Sequence, residues 1–352
     1  MKTSDSRTKL LTENPIPLMI SLCVPAVIGM LVVGLYSFMD GVFVGQMVST
    51  AAVGAVSVSY PFTLINNGLA IMVGVGSASV LSRAIGKKDQ NTVDKIMGNL
   101  IMMIAVCSLV ITVIGTVFTR PILLLSGASG EKLELAVKYL RIVYVGSMFV
   151  NFSQSANMVM RGEGLLKRAM IIMGIGAVLN IILDPIFIFV FHWGVKGAAW
   201  ATIAGQILNA FLYFAYIWKF KCIKLDKTCF RISGKVLAKI SSLGISSFIT
   251  QIAIVLVTAV TNNILVSYGA ESKYGADIPL TTIGITMKVN QIVTAILLGL
   301  ATGAQPVYGY NYGSGQKDRV KQTYRIILTA STIMLILAFL VFQFAPISIV
   351  RL

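Results

Sequence analysis

Apolar positions in this chain come in long unbroken runs, not in the alternation of a half-buried strand. "IPLMISLCVPAVIGMLVVGLYSF" and "NLIMMIAVCSLVITVIGTVF" are two of them. Runs of about 20 apolar residues are what a helix needs to cross a bilayer. Short polar loops separate the runs, and the pattern predicts nine helices: 15–40, 53–82, 95–119, 136–160, 168–190, 196–218, 237–267, 280–310 and 322–345. Several exceed about 20 residues, so they are expected to tilt or to project beyond the bilayer. The fold class read from this pattern is an all-α polytopic membrane protein.

Composition agrees. Of 352 residues 56% are hydrophobic and 12% charged, and the mean hydropathy is +0.84. That charged share is about half of what a soluble domain carries. The net charge of +16 would suggest nucleic acid in a soluble chain. Here it divides by side. Counted on alternate sides of the predicted helices, Lys and Arg split 21 to 7, with Lys288 inside a span. The basic side is expected to face the cytoplasm. It holds the N-terminus and the linker 220–236. The opening "MKTSDSRTKLLTENPIP" is polar, shows no A-x-A-like site and leads into a full span, so no cleavable signal is read there. Cys23 and Cys107 fall in spans, and Cys222 and Cys229 in the basic loop with no nearby His, so all four are expected as free thiols.

The chain also repeats. "GSASVLSRAIGKKDQNTV" (76–93) resembles "GAQPVYGYNYGSGQKDRV" (303–320): Gly76, Val80, Gly86 and Val93 correspond to Gly303, Val307, Gly313 and Val320, all at a spacing of 227. A weaker echo relates "FTRPILLL" (118–125) to "QFAPISIV" (343–350). Six helices separate the copies, an even number, so both run in the same direction. This is the parallel type of transporter repeat. The domains expected are an N-lobe over 1–219 with helices 1–6, the linker 220–236, and a partial C-lobe over 237–352 with helices 7–9.

Few ionisable residues fall within spans: Asp40, Asp184 and Lys288, with Arg161 and Glu163 at the inner end of helix 4. A charge at mid-bilayer costs at least about 2.5–3.5 kcal/mol, so such residues usually face a cavity and handle ions or protons. Asn180 and Asp184 are four apart and share one helix face. Pro185 cannot donate its N–H and disfavours helical geometry at Asp184, so a local break that frees carbonyl oxygens is expected there. By counting residues, Asp40, Asp184 and Thr202 all reach the outer half of the bilayer. With Asn180 they could surround one small cation with hard oxygens. The plainer alternative is that Asp184 caps a kink and Asp40 sits among headgroups. Pro25, ten residues into helix 1, marks a hinge or a static kink. Asn151, Gln154, Asn157 and Gln206, with Lys288, are candidates for a substrate cavity, although amides also bind helices together. "GVGSAS" follows no strand, so it is no nucleotide loop. His192 is the only histidine and no nucleophile–base pair is visible, so enzymatic chemistry is not expected.

"VPAVIGMLVVGLYSFMDGVFVGQ", "RGEG" after helix 4, "LNIILDPIFIF" with "GVKGAAWATIAGQ", and "GAQPVYGYNYGSG" together resemble the MATE (multidrug and toxic compound extrusion) family, most of all its bacterial MepA-type branch. The likeness covers the entire chain. It implies two six-helix lobes around a central V-shaped cavity in a bacterial plasma membrane. It also implies export of cationic, amphipathic drugs by alternating access, driven by Na⁺ or H⁺, with no other cofactor. Small organic cations and the bilayer are then the partners; no nucleic acid and no obligate protein partner are implied. The family's N-lobe cation site, for Na⁺ or H⁺, falls on Asp40, Asn180, Asp184 and Thr202, and bending at Pro25 is linked to it. One departure stands out. A member should have twelve helices, and this chain, with nine, is expected to lack the last three and about 100 residues. Its helix 7 carries Asn262 and Asn263 near the position equivalent to Asp40. A lipid-linked saccharide flippase of the same superfamily is the rival reading, although such a protein would be expected to show more Arg in its cavity. A non-functional transporter fragment is another.

Overall fold

The structure, a computed structural model, describes residues 3–47, 50–126, 128–218, 232–271 and 277–344. Within these the side chains of Asp40, Asn262, Asn263 and Lys288 lie outside the description, as does the stretch 219–231 with Cys222 and Cys229. The described residues are almost wholly helical. In chain order the helices are α1 (Thr3–Thr12), α2 (Pro15–Met47), α3 (Thr50–Lys87), α4 (Gln90–Leu125), α5 (Gly130–Val145), α6 (Ser147–Gly162) and α7 (Leu166–Pro185). There follow α8 (Val195–Trp218), α9 (Gly234–Glu271), α10 (Asp277–Gly313) and α11 (Lys317–Phe344). Eight of them are long and apolar enough to cross a membrane.

The fourth predicted span is different. Where the pattern predicts one helix over 136–160, the chain forms α5 and α6, 16 residues each, joined at Gly146. The join is tight because a Cβ at Gly146 would strike Ile203 of α8. Hydropathy cannot show this, since the apolar run continues through the glycine. α1 was also not expected, being too polar. It is held by tertiary contacts: Leu10 is buried against Val307 and Tyr310, and Arg7 donates to the carbonyls of Ile85 and Gly86 at 3.2 and 3.1 Å. Those carbonyls end α3, so a cation there also meets the negative end of that helix.

Helices α3–α8 pack on one another and α2 packs on α7, while α9 crosses α3 and α10 crosses both α2 and α3. N-lobe here denotes α2–α8, and C-lobe α9–α11. Between the lobes the closest crossings are α3 on α9 and α10 on α2. Both occur in the half of the bundle that carries the basic loops, and both are built on glycine. A Cβ at Gly76 would strike the carbonyl of Ile240, one at Gly244 that of Met72, one at Gly299 the backbone of Val27, and one at Gly303 that of Cys23. The repeat shows itself here. Ser82 and Gly309, 227 apart in sequence, touch each other, and so do Gly86 and Gly313. The axis relating the two copies therefore runs through this seam. Large apolar side chains cover the outside of the bundle, among them Leu109, Val117, Phe211 and Phe339, each more than 60% exposed. On a polytopic membrane protein that surface is the lipid contact.

Candidate functional site

The residues around Asp184 are placed by a close crossing of α7 and α8. Gly176 and Gly205 let the helices approach: a Cβ on Gly205 would press on the Gly176 carbonyl, and one on Gly176 would collide with the Asn209 amide. The reversal between the two helices is short. α7 stays helical through Asp184 and Pro185, then widens into one π-helical turn, Ile186–Val190. The loosening predicted at Asp184 thus falls immediately after the proline, whose missing N–H lets the next turn slip from i−4 to i−5 bonding. Phe191 donates its N–H to Ile186 O at 3.1 Å, and Trp193 to Phe187 O at 3.0 Å. Phe187 stacks on Phe191, Trp193 packs tilted against both, and Gly194, with φ of 55°, turns the chain into α8.

The result is a buried polar triad. Asp184 is fully buried and Asn180 is 3% exposed. In the orientation that satisfies both ends of its amide, Asn180 donates Nδ2 to Asp184 Oδ2 at 3.2 Å and accepts from the Thr202 N–H at 3.1 Å. Three of the four residues predicted to form one site, Asn180, Asp184 and Thr202, are therefore in contact. Asp40 lies on α2, which packs on α7, but its side chain is outside the described residues. Pro25 is half-buried inside α2. No group of three His, Cys, Asp or Glu side chains gathers among the described residues. The oxygens at hand are one carboxylate, an amide, a hydroxyl and helix carbonyls. Such hard, mostly neutral oxygens suit a monovalent cation or a proton.

The predicted cavity residues are placed differently. Asn151 donates to Asn66 at 3.1 Å and to Ser108 at 2.9 Å, tying α6 to α3 and α4. Asn157 donates to the Tyr213 hydroxyl at 2.7 Å and to Ala169 O at 3.1 Å. Gln154 bonds Asn67 at 3.2 Å. In hydrocarbon an amide without a partner is costly. The N–H groups of these amides are used between helices, while Asn151 Oδ1 has no hydrogen-bond partner among the described residues. Gln206 is half-buried on α8, and Lys288 lies on α10 with its side chain outside the description. The central cleft lies between α2, α3, α9 and α10, in the half away from the basic loops. It measures about 720 Å³ and its lining includes Tyr60, Gln251, Thr258, Asn290, Gln291 and Met287. A drug-sized ligand fits such a volume. Sequence reasoning did not assign any of this lining to a cavity, although Gln251 and Asn290 interrupt apolar runs.

A second buried polar group closes the opposite end. Arg161 is 4% and Glu163 7% exposed. The Tyr310 hydroxyl of α10 donates to the Glu163 carbonyl at 3.1 Å, joining the lobes. Glu163 Oε1 has no hydrogen-bond partner, and burial pushes its carboxyl up to about 8. In an unfolded chain that group titrates near 4.3. The folded form therefore keeps a proton that the unfolded form has lost, and stability falls as pH rises between those values. Glu163→Gln carries no titrating proton. Its melting temperature is expected to stay flat from about pH 5 to pH 8 while that of the unsubstituted protein declines by several degrees. Parallel profiles in a detergent melt series would refute this.

Comparison with known proteins gives a consistent picture. The MatE family model matches residues 25–186 and 246–352. The chain is 29% identical over 317 residues to the multidrug export protein MepA of Staphylococcus saprophyticus, covering 88% of this chain and 67% of that protein. It is 27% identical over 311 residues to MepA of Staphylococcus aureus (strain MRSA252), with the same coverage. Among solved structures, the outward-facing conformation of a multidrug resistance MATE family transporter of the MOP superfamily superposes with a TM-score of 0.88 at 26% identity. That match covers 96% of this chain and 74% of the other.

Proposed function

The chain belongs to the MatE family, and from that premise we propose that it is a cation-coupled antiporter that exports cationic, amphipathic drugs and other toxic organic compounds. The observation that carries the coupling is the buried Asn180–Asp184–Thr202 triad. A carboxylate fully removed from water and set among neutral oxygens favours a cation or proton for its charge. Na⁺ or H⁺ would be held by Asp184, Asn180 and Thr202, with Asp40 on the neighbouring helix as the fourth contributor. Cargo would occupy the central cleft, where Tyr60 and Met287 offer apolar, polarisable contact and Gln251, Asn290 and Gln291 offer carbonyl oxygens. Names of relatives support export of drugs, and the outward-facing likeness supports alternating access, with the seam closed on the basic side.

The test is ethidium efflux from vesicles, with Na⁺ and pH gradients imposed one at a time. Efflux is expected to follow at least one of them and to stop when it is collapsed. Efflux that ignores both, or that needs ATP, would overturn the reading. Orientation follows from the charge split: the N-terminus and the basic segment 219–239 are expected in the cytoplasm. Impermeant maleimide added to intact cells should leave Cys222 and Cys229 unlabelled, and strong labelling there would reverse the topology.

A further inference from the structure

A file of polar side chains leads away from the triad through the interior of the N-lobe. Thr202, Gln206, Asn209 and Tyr213 are spaced four, three and four along α8, which sets them on one stripe of the helix. That stripe follows α7: Thr202 meets Asn180, Asn209 lies against Gly176, and the Tyr213 hydroxyl donates to Ala169 O at 3.1 Å. From Thr202 to Tyr213 it spans about 16 Å at 1.5 Å per residue. Asn157 on α6 then donates to the Tyr213 hydroxyl, and Arg161 stands one turn further along α6. Asn209 is 3% exposed and its Oδ1 has no hydrogen-bond partner in the protein. The contact with Gly176 is close, and an orphaned buried oxygen of this kind would take up water once that contact loosens. Such a file would give a small cation at Asp184 a second route, through the lobe, that bypasses the cleft.

Arg161 stands at the basic end of that file. It is 4% exposed, its Nε and Nη1 have no hydrogen-bond partner, and no described carboxylate lies within salt-bridge distance. A guanidinium keeps its proton under all working conditions. Its neighbours are Tyr213 from α8, and Glu163, whose backbone carbonyl accepts from Tyr310 of α10. A buried cation left uncompensated is costly to the fold, and helix packing alone does not call for one. We propose that Arg161 is an electrostatic seal, whose uncompensated positive charge closes the cytoplasmic end of the Gln206–Asn209–Tyr213 file to protons and Na⁺. With that end sealed, a cation held at Asp184 would exchange only on the side away from the basic loops. Fixed arginines exclude cations from narrow polar pores by the same repulsion.

The proposal rests on the reading of Asp184 as the coupling site, but its test contains no drug. The protein is reconstituted in liposomes under a valinomycin-imposed potential, and proton uptake is followed with trapped pyranine and Na⁺ uptake with a tracer. Arg161→Met is expected to raise the passive leak about tenfold or more, the effect of removing one unit charge at ~10 Å and an effective dielectric of ~20. Adding Asn209→Leu, which dries the file, should return the leak to the unsubstituted level. Arg161→Lys keeps the charge, and a buried lysine loses its proton readily. That variant should be tight to Na⁺ at about pH 5 and leak reversibly as pH rises to about 9, while the unsubstituted protein, in which Glu163 titrates over the same range, stays tight throughout. A tight, folded Arg161→Met overturns the seal, as does a leak that Asn209→Leu leaves unchanged. If Arg161→Met does not fold, the lysine variant decides: a pH-switched leak supports the seal and a flat profile overturns it. Failure of the coupling reading shows separately, as driven efflux that survives loss of the Asp184 charge.

Discussion

Asp184→Asn is expected to abolish cation-driven efflux while leaving the protein folded. Asparagine keeps the size of the side chain and removes its charge. The site is fully buried, and the partner atom, Asn180 Nδ2, sits 3.2 Å from Asp184 Oδ2. An amide oxygen in that place can still accept the same bond, so the α7–α8 crossing is retained. What is lost is the charge that a cation or proton answers. Bonds involving a charged partner contribute up to about 3 kcal/mol, against about 1 for neutral ones. The apparent cation affinity should therefore fall by one to two orders of magnitude, enough to uncouple transport at ordinary gradients. Thr202→Val is expected to fall in between: it removes the hydroxyl and keeps the backbone N–H that Asn180 uses. The measurement is ethidium efflux in matched vesicles, with a melting curve for each variant as the check on folding. Unchanged efflux in both Asp184→Asn and Asp40→Asn would sink the site.

Much of this was legible beforehand, and the reasons differ from residue to residue. The Asn180/Asp184 face needs only the four-residue spacing, and the α7–α8 reversal needs only a short loop. Local facts of that kind survive folding. The repeat was legible too, because equivalent positions keep their glycines, and Gly86 and Gly313 do meet in space. The break at Gly146 was not legible, since the apolar run continues through the glycine, and the close approach of Ile203 that leaves no room for a side chain there comes from another helix. Nor were the partners of Asn151 and Asn157. An amide in an apolar run announces that it has a partner but does not name it. Here the partners are Asn66, Ser108, Tyr213 and Ala169 O, up to 85 residues away in sequence. α1 was missed for the opposite reason: its own pattern is weak, and Leu10 and Arg7 become informative only once α10 and the end of α3 are beside them.

Valine in place of Gly76 or Gly244 is expected to remove most export by wedging the lobes apart on the basic side. Both glycines sit where α3 crosses α9, and a Cβ on either one would run into a backbone carbonyl, of Ile240 and Met72 respectively. A flexible side chain could move aside, but a carbonyl inside a helix can move only with its helix. Overpacking of this kind costs about 1–3 kcal/mol per site. Here the cheapest relief is not local distortion but separation of α9 from α3, the motion that would open the seam under the proposed alternating access. The closed state would lose that free energy relative to the open one, shifting the balance between them by one to two orders of magnitude. An antiporter needs both states at comparable cost, so turnover should fall by about tenfold or more. Gly174 on α7 supplies the control, since a Cβ there would meet nothing within 4 Å. Gly174→Ala should therefore be stabilising by up to about 1 kcal/mol, the ordinary gain of alanine over glycine within a helix. The readouts are efflux rate and melting temperature for Gly76→Val, Gly244→Val and Gly174→Ala, with maleimide accessibility of a cysteine at Ser82 as the reporter of the seam. Raised accessibility at Ser82 in the two valine variants, with slow efflux, is the expected pattern. If both valine variants export at the unsubstituted rate with Ser82 still protected, the close glycine crossing is not what closes the basic side.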